Sequence, residues 1–375
     1  MDNIKNHVIF VLSSRFPTEK AYGTTTEYSA QALSNLGFRV TLVTPKLGYT
    51  PNSKVNIQVI GGKLHKILLS NKIRNLTGIR FTIFEFIYAY LLTRRFTYGE
   101  NVFWTRDILI SLVLSLKPKY KILCEIHRKP VKFQNRILFS LLKMRPNITT
   151  APISKPLQEK LGLSVKKSIV APMSINESER EYFLKGNQKR GKVIIYLGSY
   201  ISGTHKLNLN FLNDFSYALQ AIDAEWRVEV IGIHSNFFKS ECLNQLSSNL
   251  IIHEYLERTE IISKLAKARI GLVIYPNNSY FQDSFPIKIV EYAIAGLAIV
   301  ASSTIAHHQI LGDDKCLYFE SESLSSLVDI VKKLIMEPDT RERIINKAFL
   351  WASELTYENR VKSVISHIYE PESKV

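Results

Sequence analysis

A chain of 375 residues is longer than one hydrophobic core usually organises, so two domains are expected. Its 46% hydrophobic and 22% charged content excludes a disordered or fibrous protein. The net charge of +16 is uneven: residues 1–190 carry 31 basic side chains against 11 acidic, and residues 191–375 carry 18 against 22.

In the first half, short β-branched runs at His7–Leu12, Arg39–Thr44, Asn56–Ile60, Val102–Trp104, Lys121–Ile126 and Ile148–Ile153 read as strands. Between the first two, Thr24–Leu36 has one apolar face and ends at Gly37, which reads as a helix with a glycine cap. In the second half, the strand candidates are Lys192–Gly198, Arg227–Gly232, Asn249–His253, Arg269–Tyr275 and Leu297–Ser302. Helix-length stretches such as Thr259–Ala268 and Ile287–Ala295 lie between them, and 324–368 is helical in pattern. Strand and helix alternating twice over is the signature of two α/β domains, each a parallel sheet with crossover helices. The charged stretch Asn176–Lys192, with two glycines, reads as the linker.

Cys124, Cys242 and Cys316 are widely spaced and odd in number, which suits a reducing cytoplasm better than a disulfide framework or a metal site. The N-terminal apolar run is too short for a signal peptide. The most apolar stretch, Phe81–Leu92, contains Glu85 and ends at Arg94-Arg95, short of the roughly 20 residues a membrane span needs. The basic first half sets up a field that draws phosphate-rich partners or an anionic membrane face. Aromatic and basic residues mix over 81–98 and 117–143, where amphipathic helices would lie on such a surface. No helix-turn-helix, zinc-finger or RNP-like motif accompanies the charge, which argues against nucleic acid.

The sharpest local feature is the run from Gln282 to Ser302. Asp283 and Glu291 are separated by seven residues; Ser284, Phe285 and Pro286 form a helix entry, with Pro286 suited to the first turn. Backbone N–H groups at a helix start suit a phosphate or a sugar hydroxyl, and carboxyl ends of parallel strands are where ligands bind. On spacing alone, Asp283 as a helix cap and Glu291 as a solvated helix residue is an equal reading.

This run resembles the E-x7-E signature of the family 4 retaining glycosyltransferases. Other stretches follow in that family's order: Tyr196-Leu197-Gly198-Ser199 with His205-Lys206, Tyr255-Leu256 with Glu260-Ile261, and 266–276. Gly23-Thr24 at a helix start, Arg106-Asp107 and Glu125-Ile126-His127 complete the resemblance in the first half. It is strongest over 192–302 and weaker before 150. It implies the GT-B fold: two Rossmann-like domains whose parallel sheets face an interdomain cleft that holds the active site. The implied domains are 1–185, basic and on the acceptor side; 186–355, binding the nucleotide sugar; and 356–375, a helix crossing back to the first domain.

The roles below are implied by the resemblance. Glu291 accepts hydrogen bonds from the ribose, and Asp283 contacts the transferred sugar, where the family usually has Glu. Backbone around Ser284, Phe285, Pro286 and Ile287 meets the sugar and phosphate. Lys206 neutralises the diphosphate. The family's arginine partner aligns with Ser199, a departure for which Lys288, His205 or a first-domain arginine would compensate. Tyr255 and Leu256 lie on the nucleotide side, and Gly23 and Thr24 let the backbone approach the phosphates, although a plain turn explains them as well. His127, Asp283 and Lys206 are the implied catalytic residues, with Arg15, Arg106 and His127 on the acceptor side. A lone histidine at a strand end also reads as a satisfied structural residue.

The activity implied is transfer of a sugar, with retention, from a UDP-, GDP- or similar sugar to a hydroxyl of a lipid-linked or surface-polysaccharide glycan. No metal and no other cofactor is expected. The expected location is the cytoplasm, peripheral on the inner face of the membrane. A nucleotide-sugar binder with weak catalysis, and a basic phosphate- or nucleic-acid-binding protein, are the rival readings.

Overall fold

The computed structural model describes residues 7–14, 16, 21–47, 56–63, 77–97, 101–185, 190–198, 209–233, 245–276 and 285–369. The chain divides into two units: Met1–Ser174 together with Tyr357–Val375, and Ile175–Thr356.

In chain order, the first unit contains β1 (His7–Val11), α1 (Ala21–Asn35), β2 (Arg39–Thr44), β3 (Asn56–Val59), α2 (Thr77–Arg95), β4 (Asn101–Thr105), α3 (Ile108–Leu114), β5 (Lys121–Ile126), α4 (Phe133–Met144), β6 (Ile148–Pro152) and α5 (Lys155–Lys160). The second contains α6 (Glu177–Lys185), β7 (Val193–Leu197), α7 (Leu209–Ile222), β8 (Arg227–Ile231), β9 (Leu250–His253), α8 (Arg258–Lys267), β10 (Ile270–Val273), α9 (Ile287–Ile294), β11 (Ala298–Ser302), α10 (Ile305–Leu311), β12 (Leu317–Phe319), α11 (Leu324–Met336) and α12 (Pro338–Ser353). The last helix, α13 (Tyr357–Tyr369), belongs to the first unit.

Both sheets are parallel throughout and share one strand order: β3-β2-β1-β4-β5-β6 and β9-β8-β7-β10-β11-β12. Continuous apolar runs such as 8–11 and 298–301 are fully buried, as strands covered by helices on both faces must be. Each sheet reverses its strand order once, between β1 and β4 and between β7 and β10. At such a reversal the loops from neighbouring carboxyl ends diverge and leave a crevice.

α13 is held in the first unit by one helical face. Tyr357, Val361, Val364, Ile365 and Ile368 recur at helical spacing and pack with Ala30, Leu33, Val8 and Trp104. Gly37 closes α1 at φ 86°, with Gly37 N–H bonding to Ser34 C=O and Phe38 N–H to Leu33 C=O, the pairing that requires a left-handed residue. Two stretches differ from expectation. Part of the 176–192 stretch is α6, favoured by Glu177 and Glu179 in its first turn and Lys185 in its last. β12 spans only three residues, too few for an alternation signal, and is identified by its pairing with β11. Among the described residues, no helix is long and apolar enough to cross a membrane.

Candidate active site

α9 carries Glu291. Its sequence, Ile-Lys-Ile-Val-Glu-Tyr-Ala-Ile, is apolar around most of its circumference, and Lys288 through Ile294 are all buried. Two charged side chains are therefore drawn into the interior and need partners. Lys288 Nζ lies 4.3 Å from the centre of the Tyr196 ring and 5.6 Å from that of Tyr275. Burial pushes the Lys288 ammonium down to about 8, with the negative charge of Glu291 opposing the shift. Glu291 Oε1 accepts from Arg258 Nη1 at 2.5 Å.

Tyr292 sets the position of this helix against the sheet. Its hydroxyl accepts from Leu197 N–H at 2.8 Å, at the end of β7, and donates to Leu272 C=O of β10 at 3.3 Å. The ring fits only because Gly271 lacks a side chain: a Cβ there would lie 2.4 Å from Tyr292 Cδ2. Glu291, the neighbour of Tyr292, is thereby carried on a helix tied to β7 and β10.

The helix entry differs in detail from expectation. Pro286 is the N-cap, with extended backbone (φ −75°, ψ 138°), rather than a residue of the first turn, and among the described residues no side chain caps this end. Ile287 is the first helical residue and is half-buried. Phe285 is 4% exposed and its ring tilts against Trp351 of α12 at 6.2 Å, so its side chain packs into the core and only its backbone is suited to a ligand. Tyr255, exposed, and Leu256, half-buried, lie in the turn between β9 and α8, next to Arg258. Arg15, Ser199, His205, Lys206, Asp283 and Ser284 lie outside the described residues.

The first unit brings Arg106 and His127 together around Glu125, a residue 3% exposed. Glu125 Oε1 accepts from Arg106 Nη2 at 3.0 Å and lies 2.5 Å from His127 Nε2. Oε2 accepts from Trp104 Nε1 at 2.9 Å and lies 3.0 Å from Arg360 Nη2 of α13. Burial alone would raise this carboxyl, but Arg106, Arg360 and His127 outweigh it and hold it well below the usual range. Burial, reinforced by Arg106, pushes His127 down to about 4 against the pull of Glu125. The ring is then neutral near pH 7, so Nε2 carries the proton donated to Glu125 and Nδ1 is left as an acceptor.

Gly23 and Thr24 are not at a turn. α1 begins at Ala21, so both lie in its first turn, with Gly23 buried and Thr24 half-buried. Tyr22 lies at this end of the helix; its hydroxyl accepts from Ser14 Oγ at 2.7 Å and its carbonyl accepts from Thr26 Oγ1. Gly23 is not among the glycines with positive φ.

Sequence reasoning missed three members of these networks: Arg258, Glu179 and Arg360. Arg258 and Glu179 are 79 residues apart, and Arg360 meets residues of β4 and β5 only through tertiary packing. One available signal was the Glu257/Glu260 pair that starts α8, where Glu260 accepts from Glu257 N–H, since it fixes Arg258 as the first helical residue.

Residues 179–351 match the family model described as glycosyl transferases group 1, which spans nearly all of the second unit. Among curated proteins the chain has no match. Solved structures with the same fold include a glycosyltransferase from Rickettsia africae ESF-5, at TM-score 0.70 and 13% identity over 100% of both chains. WaaG, a glycosyltransferase involved in lipopolysaccharide biosynthesis, aligns at TM-score 0.65 and 12% identity over 97% of this chain and 100% of that one. Anabaena Alr3699/HepE, in complex with UDP and glucose, aligns at TM-score 0.69 and 12% identity over 97% and 99%.

Proposed function

We propose that this chain, whose second unit matches the group 1 glycosyltransferases and whose fold is that of GT-B glycosyltransferase structures, transfers a sugar from a nucleoside diphosphate sugar to a hydroxyl with retention of configuration. The observation that carries this reading is the pair of buried charges on α9, Lys288 and Glu291, one turn apart beside the crevice between β7 and β10. A buried carboxylate suits the ribose diol, and a buried ammonium suits an anionic diphosphate. Lys206 and the amides that open α9 add to the charge facing the diphosphate, and Asp283 contacts the transferred sugar. The second unit takes the donor. The first takes the acceptor, with Arg15, Arg106 and the neutral His127 meeting its hydroxyls.

In the reaction, the bond between the anomeric carbon and the diphosphate oxygen breaks as the acceptor oxygen bonds to the same face of that carbon. The acceptor proton passes to the departing diphosphate, whose charge is taken up by Lys206, Lys288 and the helix amides, with no metal ion required. UDP and UDP-glucose occur in the solved relatives and head the list of donors to test. A bound donor at a hundredfold excess over its dissociation constant adds about 2.7 kcal/mol to stability, so a melting panel of UDP-, GDP- and CMP-sugars identifies it. The anomeric proton coupling of the product then reads the stereochemistry. A flat panel would overturn the donor reading, and an inverted product would overturn retention.

The acceptor we propose is lipid-linked or part of a surface polysaccharide, with the enzyme peripheral on an anionic membrane. One feature of the first unit supports this. On α4, Phe133, Ile137, Leu141 and Met144 recur at helical spacing and are all exposed, Phe133 at 76% and Met144 at 75%. Residues 128–145 contain six basic side chains and no acid. An exposed apolar stripe with basic flanks suits insertion beside anionic headgroups. Sedimentation with phosphatidylglycerol vesicles, but not with phosphatidylcholine vesicles, and loss of binding in a Phe133→Ser/Met144→Ser variant, are expected. Equal binding to both vesicle types would overturn the membrane reading.

A further inference from the structure

Glu291 ends a charged row that crosses three helices of the second unit. Arg258, the first residue of α8, donates through Nε and Nη2 to both oxygens of Glu179 on α6, at 2.8 and 2.6 Å. Its remaining arm, Nη1, donates to Glu291 Oε1 on α9 at 2.5 Å. The carboxylates are 6% and 7% exposed, and Arg258 itself is 30% exposed. A planar guanidinium that is clamped on one edge by a two-point carboxylate bond has little freedom left, and what it presents on the other edge is fixed in direction. Among the described residues, Oε2 of Glu291 receives no hydrogen bond, so one oxygen is pinned and the other keeps its full accepting capacity.

We infer that Arg258, held by Glu179, is a positioning residue that aims the Glu291 carboxylate so that its second oxygen meets the ribose diol of the donor. This rests on the reading of Glu291 as the ribose acceptor. An unpinned glutamate would have to lose side-chain rotamer freedom each time the donor bound. Pinned by Arg258, it is already oriented, and the row as a whole carries one net negative charge beside the crevice rather than two.

The test separates this inference from the reading beneath it. Isothermal titration gives the affinity of the wild type and of each variant for UDP or GDP, whichever the wild type binds more tightly, and for its 2′-deoxy and 3′-deoxy forms. The wild type should prefer the ribonucleotide over a deoxy form by roughly 10- to 100-fold, as expected for a hydrogen bond to a charged acceptor. Glu291→Ala should abolish that preference. Arg258→Met and Glu179→Gln should each reduce it at least threefold and raise the donor KM more than they lower kcat, with Arg258→Lys falling between Arg258→Met and wild type. A purely structural brace would shift the melting temperature without changing the ribose-to-deoxy ratio.

Were Arg258→Met to keep the wild-type ratio while Glu291→Ala lost it, the positioning role would be wrong and the reading of Glu291 would stand. Should Glu291→Ala keep the ratio, or should the wild type bind neither diphosphate, the reading of Glu291 and the inference would both fail. If Arg258→Met does not fold, Glu179→Gln decides: it keeps the side-chain size and removes only the charge that holds Arg258.

Discussion

Glu125 in the first unit and Glu291 in the second are both buried carboxylates beside an arginine, and the two are held differently. Both oxygens of Glu125 are engaged, by Arg106 and His127 on one side and by Trp104 and Arg360 on the other. Among the described residues, Glu291 is engaged through one oxygen by one arginine. A carboxylate already surrounded by donors holds other residues in place and has little left to offer a ligand; one that is pinned at a single oxygen is oriented and still able to accept. On the proposed reading, Glu125 is the framework that orients His127, and Glu291 is the group that meets substrate.

The largest effect that would sharpen this contrast is on stability. Glu125→Ala leaves the buried Arg360 guanidinium, the half-buried Arg106 and an indole N–H without their anion, a loss of about 3–5 kcal/mol by urea unfolding of the first unit's transition. Glu291→Ala should behave in the opposite way: the melting temperature stays within a few degrees, because Glu179 still holds Arg258, while transfer falls by roughly a hundredfold or more. Equal destabilisation by the two variants would erase the distinction.

A smaller effect is expected at the anchor of α9. Gly271→Ala forces the Tyr292 ring away from β10, at about 1–3 kcal/mol for overpacking. Tyr292→Phe removes the side-chain hydrogen bond to Leu197 N–H, at about 0.5–1.5 kcal/mol. Both should also weaken donor binding, since the displaced helix carries Lys288 and Glu291. Unchanged donor affinity in Gly271→Ala would separate the anchor from the site.

The smallest effect is in pH dependence. Lys288 is charged below about 8 and neutral above it, so donor affinity should hold from pH 6 to 7.5 and weaken by roughly tenfold as pH rises past 8. Lys288→Met should remove that step. His127, already neutral above about 4, should add no step near neutrality, so His127→Gln should keep the shape of the profile. A step that survives in Lys288→Met would assign it to another group.

Much of the fold was legible because it rests on local pattern. β2 and β5 begin and end where their β-branched runs do, and Gly37 marks the end of α1. Glu291 stands out in the sequence because its spacing from Asp283 lies within one short stretch. The residues that hold these groups do not. Arg258 reaches Glu179 across 79 residues, and Arg360 reaches Ser29 across 331. Such pairs leave no periodicity in the sequence, because they are created by helices packing together after each has formed. The start of α1 was misjudged as well: the helix begins at Ala21, ahead of the glycine that reads as the turn.

A crystal structure of the protein with UDP or UDP-glucose bound is the most direct test of the account. The ribose hydroxyls should lie within hydrogen-bonding distance of Glu291 Oε2, with the diphosphate against the start of α9 and the Lys288 ammonium. A nucleotide bound elsewhere, with Glu291 still engaged only by Arg258, would contradict it.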